Sequence, residues 1–171
     1  MDIITRTYVS PCGTLTLGSY GDSLCLCEWL GGKQNDALRR RLSRHLDAGF
    51  TDGSTPVIEL AVSLLDSYFG RQCPEFDIPL LFVGTEFQTR VWNELTNIPY
   101  GSVISYAELA RRVGRPAAVR AVASANGVNA ISIFAPCHRV IGTDGSLTGY
   151  AGGIDTKRFL LQLENPIPTL L

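Results

Sequence analysis

The period of the apolar pattern changes near Gly84, and no other feature limits the fold of this chain as much. Before it, residues 3–9, 14–19 and 24–29 alternate like β-strands, with Pro11-Cys12-Gly13 and Tyr20-Gly21-Asp22 as turns between them. Two helices follow. Leu38, Leu42 and Leu46 recur at helical spacing between Asp36 and Asp47, with Arg39, Arg40, Arg41 and Arg44 on the other faces. Thr55 as N-cap, Pro56 in the first turn and Gly70 as stop mark the second. Beyond Gly84 the punctuation is helical. Thr85 caps a segment expected to bury Phe87, Val91 and Leu95, ending before Pro99-Tyr100-Gly101. Ser105 and Glu108 have the spacing of a capping box for a short helix to about Val113. Gly114 closes that helix, Arg115 is the link, and Pro116 opens another through about Ala125, ended by Asn126-Gly127. The expected fold is an α/β N-terminal domain, residues 1–83, with a small antiparallel sheet and helices. It is joined to a mostly α-helical C-terminal domain, residues 84–171, containing a helix-turn-helix.

The chemistry concentrates at Pro136-Cys137-His138-Arg139-Val140, where a thiol stands beside an imidazole. The preceding residues 129–135 are apolar and are expected to be extended and buried, which would hold a nucleophile rigidly. A buried structural cysteine is the plain alternative, since free Cys is among the most buried residue types. After the thiol comes a glycine-rich loop, 141–153, able to fold over it and supply backbone donors. A last helix from about Thr156 carries Phe159, Leu160, Leu161 and Leu163 and ends at Glu164. Glu164 reads either as an exposed helix-end charge or as a carboxylate that orients His138.

The five cysteines, Cys12, Cys25, Cys27, Cys73 and Cys137, are odd in number and show no paired C-x-x-C at zinc spacing. Cys25 and Cys27 would share a strand face, but two thiols do not make a zinc site. Reduced thiols, no metal, no cofactor and a cytoplasmic setting are expected. No apolar run is long enough to span a bilayer, and the first residues lack a secretory pattern.

Net charge is −1 but uneven: residues 1–83 hold 7 Lys and Arg against 10 Asp and Glu, residues 84–171 hold 8 against 6. Arg111, Arg112, Arg115, Arg120 and Arg139 stand against Glu108 alone between 106 and 139, a patch that could steer a polyanion or simply be solvated. The helix around Arg120 is otherwise built of small residues. It carries too few long polar side chains to read a major groove, but its small surface suits a narrow minor groove. Tight packing of an alanine-rich helix in a core is the simpler alternative.

In their order these pieces resemble the O6-alkylguanine-DNA alkyltransferases, the methylated-DNA–protein-cysteine methyltransferase family. The matching segments are Gly84-Thr85-Glu86-Phe87-Gln88-Thr89-Arg90-Val91-Trp92, Ile98-Pro99-Tyr100-Gly101, Ser105-Tyr106 and Ala118-Val119-Arg120-Ala121-Val122. Asn126-Gly127, Asn129, Pro136-Cys137-His138-Arg139-Val140, Gly149-Tyr150-Ala151-Gly152-Gly153 and Leu160-Leu161 with Glu164 complete the series. The opening half matches loosely, through Ser10-Pro11-Cys12-Gly13-Thr14-Leu15. The resemblance implies direct reversal of DNA damage. Cys137 would take the alkyl group from O6-alkylguanine, and from O4-methylthymine, in one irreversible turnover. His138 would be the base through a bridging water, Glu164 would hold its ring, and Asn129 would brace the turn. Tyr106 would donate to the guanine ring nitrogen, and Arg120 would fill the gap left by the flipped nucleotide. Ala121 and Ser124 would face DNA on the same helix. The Val140 carbonyl would accept from the exocyclic amine, and Tyr150 and Ala151 would close over the base. The partner implied is double-stranded DNA carrying the lesion, bound by a monomer without membrane association.

Ala130 stands where many members have proline, Ser132 at another position that can be proline, and Ala151 where some have serine; the Cys and His ligands of zinc-bearing members are not matched, Tyr20 and Cys25 falling in that region. A cysteine hydrolase would keep its thiol unmodified through repeated turnover. A helix-turn-helix regulator would not need Cys137, and a lesion sensor of this family lacks the reactive cysteine.

Overall fold

The computed structural model describes residues 1–72 and 75–166, and Cys73 lies outside the described residues. β1 (Ile3–Ser10), β2 (Gly13–Tyr20) and β3 (Ser23–Trp29) form an antiparallel meander, each strand within a residue or two of its expected span. α1 (Asn35–Leu46) crosses over to β4 (Phe50–Asp52), which pairs parallel with β1. The sheet, ordered β3-β2-β1-β4, is therefore mixed and not purely antiparallel as expected. A helical crossover between β3 and β4 allows the parallel arrangement, which a hairpin does not. α1 buries Leu38 and Leu42, while Leu46 is half-buried. α2 (Pro56–Phe69) starts at the expected Thr55 cap, whose hydroxyl accepts from the Ile58 amide at 3.3 Å.

β3 is buried from Leu24 to Trp29, because two later segments cover its free edge. The Leu24 amide donates to Pro79 O at 2.9 Å and Leu24 O accepts from the Leu81 amide at 2.8 Å. The Cys27 amide donates to Ala130 O at 2.8 Å, and Cys27 O accepts from the Ser132 amide at 2.9 Å. This second clamp fixes the approach to Cys137.

α3 (Glu86–Leu95) has a complete capping box, with Gln88 N to Thr85 Oγ1 at 3.1 Å and Thr85 N to Gln88 Oε1 at 3.0 Å. It buries Val91, Trp92 and Leu95; Phe87, expected in the core, is half-buried. β5 (Ile104–Ser105) leads into α4 (Tyr106–Arg112). Ser105 caps α4 by accepting from Glu108 N at 3.0 Å, but the Glu108 carboxylate pairs with Arg111 and Arg112 instead of returning the bond. The expected box is thus half formed. Gly114 turns the chain at φ +78°, a conformation only glycine adopts without penalty. α5 (Val119–Gly127) starts three residues after Pro116, because a turn closing Ala118 N on Arg115 O at 2.9 Å occupies the interval.

Residues 129–135 are buried but not extended, contrary to expectation. Asn129 accounts for the difference: its Oδ1 accepts from Ile131 N at 3.0 Å and its Nδ2 donates to Ala135 O at 2.9 Å. One side chain thereby satisfies backbone groups that a strand would pair in a ladder. Ile133 sits within this turn at φ +72°, a conformation that costs a β-branched residue about 1–2 kcal/mol. Cys137–Arg139 then form one 3-10 turn, and β6 (Val140–Ile141) pairs parallel with β5. α6 (Ile154–Glu164) is the last described helix, with Phe159 37% exposed on its outer side.

Apolar residues gather in two clusters. One packs the sheet against α1 and α2, and also takes in Ala130, Ile131, Ile133, Phe134, Leu160 and Leu163. The other gathers α3, α4 and α5 around Val91, Trp92, Leu109 and Val122, with Cys137 and Val140 at its border.

Candidate active site

Cys137 is 5% exposed, at the start of its 3-10 turn, with its amide bonded to Ala135 O at 2.7 Å. Asn126 Nδ2 donates to Cys137 O at 3.4 Å. Burial pushes the thiol pKa up, while Asn129 and the charge of Lys157 pull it down without cancelling that effect. The resting sulfur is therefore a neutral thiol.

His138 is fully buried, and its Nε2 meets Glu164 Oε2 at 2.5 Å. Glu164 is the hub of this cluster. Arg139 donates to it from Nε at 2.7 Å and from a terminal nitrogen at 3.1 Å, Tyr68 Oη at 2.6 Å and the Gly101 amide at 3.2 Å. Burial alone would raise the carboxyl pKa, but His138 and Arg139 outweigh it and hold the group ionised, well below the usual carboxylate range. An ionised carboxylate only accepts, so the proton of the pair belongs to His138 Nε2. Burial lowers the imidazole pKa against the opposing pull of Glu164. A neutral ring protonated at Nε2 leaves Nδ1 as its basic nitrogen, and Nδ1 is buried with no hydrogen-bond partner among the described residues.

Lys157 is also fully buried, donating to Val140 O at 2.7 Å and Thr148 O at 2.9 Å. Burial pushes its pKa down to about 8, with Cys137 acting in the opposite sense. Tyr106, half-buried at the start of α4, donates to Thr148 O at 3.3 Å and lies under the Lys157 ammonium at 5.8 Å. Tyr150 packs edge-on to His138, with centroids 6.4 Å apart, and accepts from Trp29 Nε1 at 3.1 Å. Ala151 is exposed beside it.

Next to this cluster, and sharing Tyr106, Asn126, Thr148 and Tyr150 with its surroundings, opens a cleft of about 860 Å³. The second half supplies Tyr106, Asn126 and the loop from Thr148 to Gly153; the first half supplies Cys12 and the segment from Trp29 to Gln34. α5 lines it with Val119, Ala123 and Gly127, and presents Arg120, Ala121 and Ser124 to solvent alongside. Arg120 has no partner among the described residues, and packing of the alanine-rich helix wholly inside a core does not occur. The arginine patch is smaller than its sequence count. Arg139 is buried on Glu164 and Ile98 O, and Arg111 and Arg112 pair with Glu108.

Cys137, His138, Glu164, Asn129, Tyr106, Val140 and Tyr150 thus come together, whereas Arg120, Ala121 and Ser124 stand on the outer face of α5. Sequence reasoning missed four contributors: Lys157, Arg139, Tyr68 and Trp29. Lys157 was readable, because positions 157, 160 and 161 share one helical face with Glu164. Tyr68 and Trp29 come from the first half, and only the folded chain brings them here.

No group of three or more His, Cys, Asp or Glu among the described residues could hold a metal, and no described helix is long and apolar enough to cross a membrane.

An α/β fold holding a thiol next to a carboxylate-fixed imidazole, beside an open cleft, defines a protein that works through a cysteine nucleophile. The family profile described as "6-O-methylguanine DNA methyltransferase, DNA binding domain" matches residues 86–166. The methylated-DNA–protein-cysteine methyltransferase of Mycobacterium tuberculosis is 46% identical over 93% of this chain and 90% of its own length. That of Methanosarcina acetivorans is 40% identical over 92% and 95%. The crystal structure of Mycobacterium tuberculosis OGT in complex with DNA superposes with a TM-score of 0.82 at 44% identity, covering 95% of this chain and 93% of that one. The chain belongs to the methylated-DNA–protein-cysteine methyltransferase family.

Proposed function

We propose that this protein repairs DNA by direct reversal, moving the alkyl group of O6-alkylguanine, typically methyl, onto Cys137. The observation that carries the reading is the buried His138–Glu164 pair, which leaves Nδ1 as the free basic nitrogen of the residue that follows Cys137. A free thiol is a weak nucleophile, and removing its proton only when substrate fills the cleft avoids indiscriminate alkylation. His138 Nδ1 takes the proton through a bridging water. Sγ attacks the alkyl carbon, the carbon–O6 bond breaks with its electron pair passing to O6, and the guanine anion is reprotonated. Tyr106 donates to the ring nitrogen where that charge spreads, and Lys157, its ammonium near the sulfur, favours the thiolate as it forms. Val140 O keeps one acceptor position beside the Lys157 bond for the exocyclic amine. The product is a thioether, which offers water no electrophilic carbonyl, so each molecule reacts once. Neither metal nor organic cofactor enters these steps.

The target carbon is hidden in duplex DNA, so the nucleotide must be swung out at a cost of a few kcal/mol. We assign this to α4 and α5 acting as a helix-turn-helix through Gly114, with Arg120 filling the stack and the Ala121–Ser124 face lying in the minor groove. Residues 84–171 form the DNA-binding and acceptor part, residues 1–83 the supporting part. Reduced thiols and a chromosomal substrate favour the cytoplasm.

Incubation with duplex DNA bearing O6-methylguanine should add the mass of one CH2 to the intact protein, and peptide mapping should find it on Cys137. Repeated turnover, or label on another cysteine, would contradict the assignment. Cys137→Ala should take up none.

A further inference from the structure

We infer that Trp29, on β3 of the first half, is a positioning residue for the acceptor pocket: it fixes Tyr150 and the loop around it, and so sets which alkyl groups react. The inference deepens the alkyl-transfer reading and rests on it.

Trp29 is 4% exposed, yet it borders the cleft. It holds the glycine-rich loop at two points. Its Nε1 donates to Tyr150 Oη at 3.1 Å, with the rings edge-on at 63°. Its indole also lies where a side chain at position 152 would go, since a Cβ on Gly152 would stand 2.9 Å from Trp29 Cγ, Cδ1 and Nε1. Ala151, between these two points, is thereby pinned at the rim. A loop with glycine at 149, 152 and 153 would otherwise be free to move, because glycine restricts the backbone least.

The direction of the first bond matters as much as its presence. An indole N–H only donates, so it occupies an acceptor position on the phenol oxygen. The Ser132 hydroxyl and the Cys137 and Cys27 sulfurs also act on this phenol. Trp29 therefore fixes the position of the Tyr150 oxygen, and Tyr150 in turn braces the His138 ring edge-on. Among the described residues, Cys12 and Lys33 of the first half border the cleft without a hydrogen bond to the loop.

A rigid wall favours a small group, whereas a slack one admits a larger group and misplaces the small one. The test uses Trp29→Phe, which keeps a ring and loses the N–H, with Tyr150→Phe and the double variant. Transfer rates to Cys137 are measured on duplexes carrying O6-methylguanine or O6-benzylguanine, together with thermal midpoints. Each single change should slow methyl transfer ~10-fold, the double change no further, and the methyl-to-benzyl rate ratio should fall ~5-fold. Additive losses, or an unchanged ratio accompanied by a lower thermal midpoint, would reduce Trp29 to packing. The unmodified chain is the control: if it methylates Cys137 while the cycle is additive, only this inference fails. If it transfers nothing, the reading beneath it fails too.

Discussion

Lys157 is the residue whose environment departs furthest from its sequence appearance. Its ammonium is fully buried and satisfied by two carbonyls, yet burial pushes its pKa from the ordinary 10.5 down to about 8. Between pH 8 and 10.5 the unfolded chain therefore binds more protons at this site than the folded one. Stability contributed here must rise with pH across that window and stay flat below it. The full shift corresponds to about 3 kcal/mol. Urea titrations of wild type and Lys157→Met should show their stability difference moving in favour of wild type by that order from pH 8 to 10.5. A constant difference would mean that the ammonium is not held in this environment. The same variant should slow methyl transfer at pH 7, since it removes the cation that pulls the Cys137 pKa down. Much of the site at this scale was legible. Cys137 and His138 are adjacent in the chain, and Glu164 shares a helical face with Leu160 and Leu161. The state of the imidazole was not, because it depends on Arg139, Tyr68 and Gly101 converging on one carboxylate from three separate elements.

Among the elements, α5 has the least usual surface. Val122, Ala125 and Asn126 face inward, while Arg120, Ala121 and Ser124 are exposed. If this face enters a narrow groove, bulk and negative charge on it should be harmful only when DNA is present. Arg120→Ala and Ala121→Glu should each lower repair of lesion-bearing duplex ~10-fold or more, while reaction with free O6-benzylguanine stays near wild type. Exposed substitutions of this kind change stability by only about 0.5 kcal/mol, so thermal midpoints should barely move. Equal losses on both substrates would make the helix structural. The elements themselves were largely written in local signals: alternating strands, the Thr55 and Thr85 caps, and Gly70 and Gly114 as stops. Two departures have a local cause that sequence patterns do not encode. Pro116 is spent on a turn before α5 instead of opening it, and Asn129 replaces a strand ladder with side-chain bonds. The parallel β4 went unread because three residues carry too little periodicity to register.

For the molecule as a whole, the change of pattern at Gly84 is not matched by a clean division of its cores. The sheet cluster takes in Ile131, Ile133 and Phe134, with Phe76 and Phe134 at 4.9 Å between ring centroids. Tyr68 of α2 reaches Glu164 of α6. In the other direction, Arg41 of α1 stacks over Trp92 at 5.1 Å and donates to Val128 O at 3.1 Å. Unfolding either half alone would expose apolar surface and strand the Glu164 hub, whose charges depend on one another. Breaking such a buried network costs about 3–5 kcal/mol. The halves should therefore unfold together. The two tryptophans test this directly, since Trp29 lies in one cluster and Trp92 in the other. In Trp92→Phe the remaining fluorescence reports the sheet side, and in Trp29→Phe it reports the α3–α5 side. Within each variant the fluorescence midpoint in urea should coincide with the far-ultraviolet circular dichroism midpoint, as a single cooperative transition requires. A fluorescence transition that precedes the dichroism transition in one variant and follows it in the other would identify two independent folding units. The cleft between the halves would then be a hinge rather than a fixed wall.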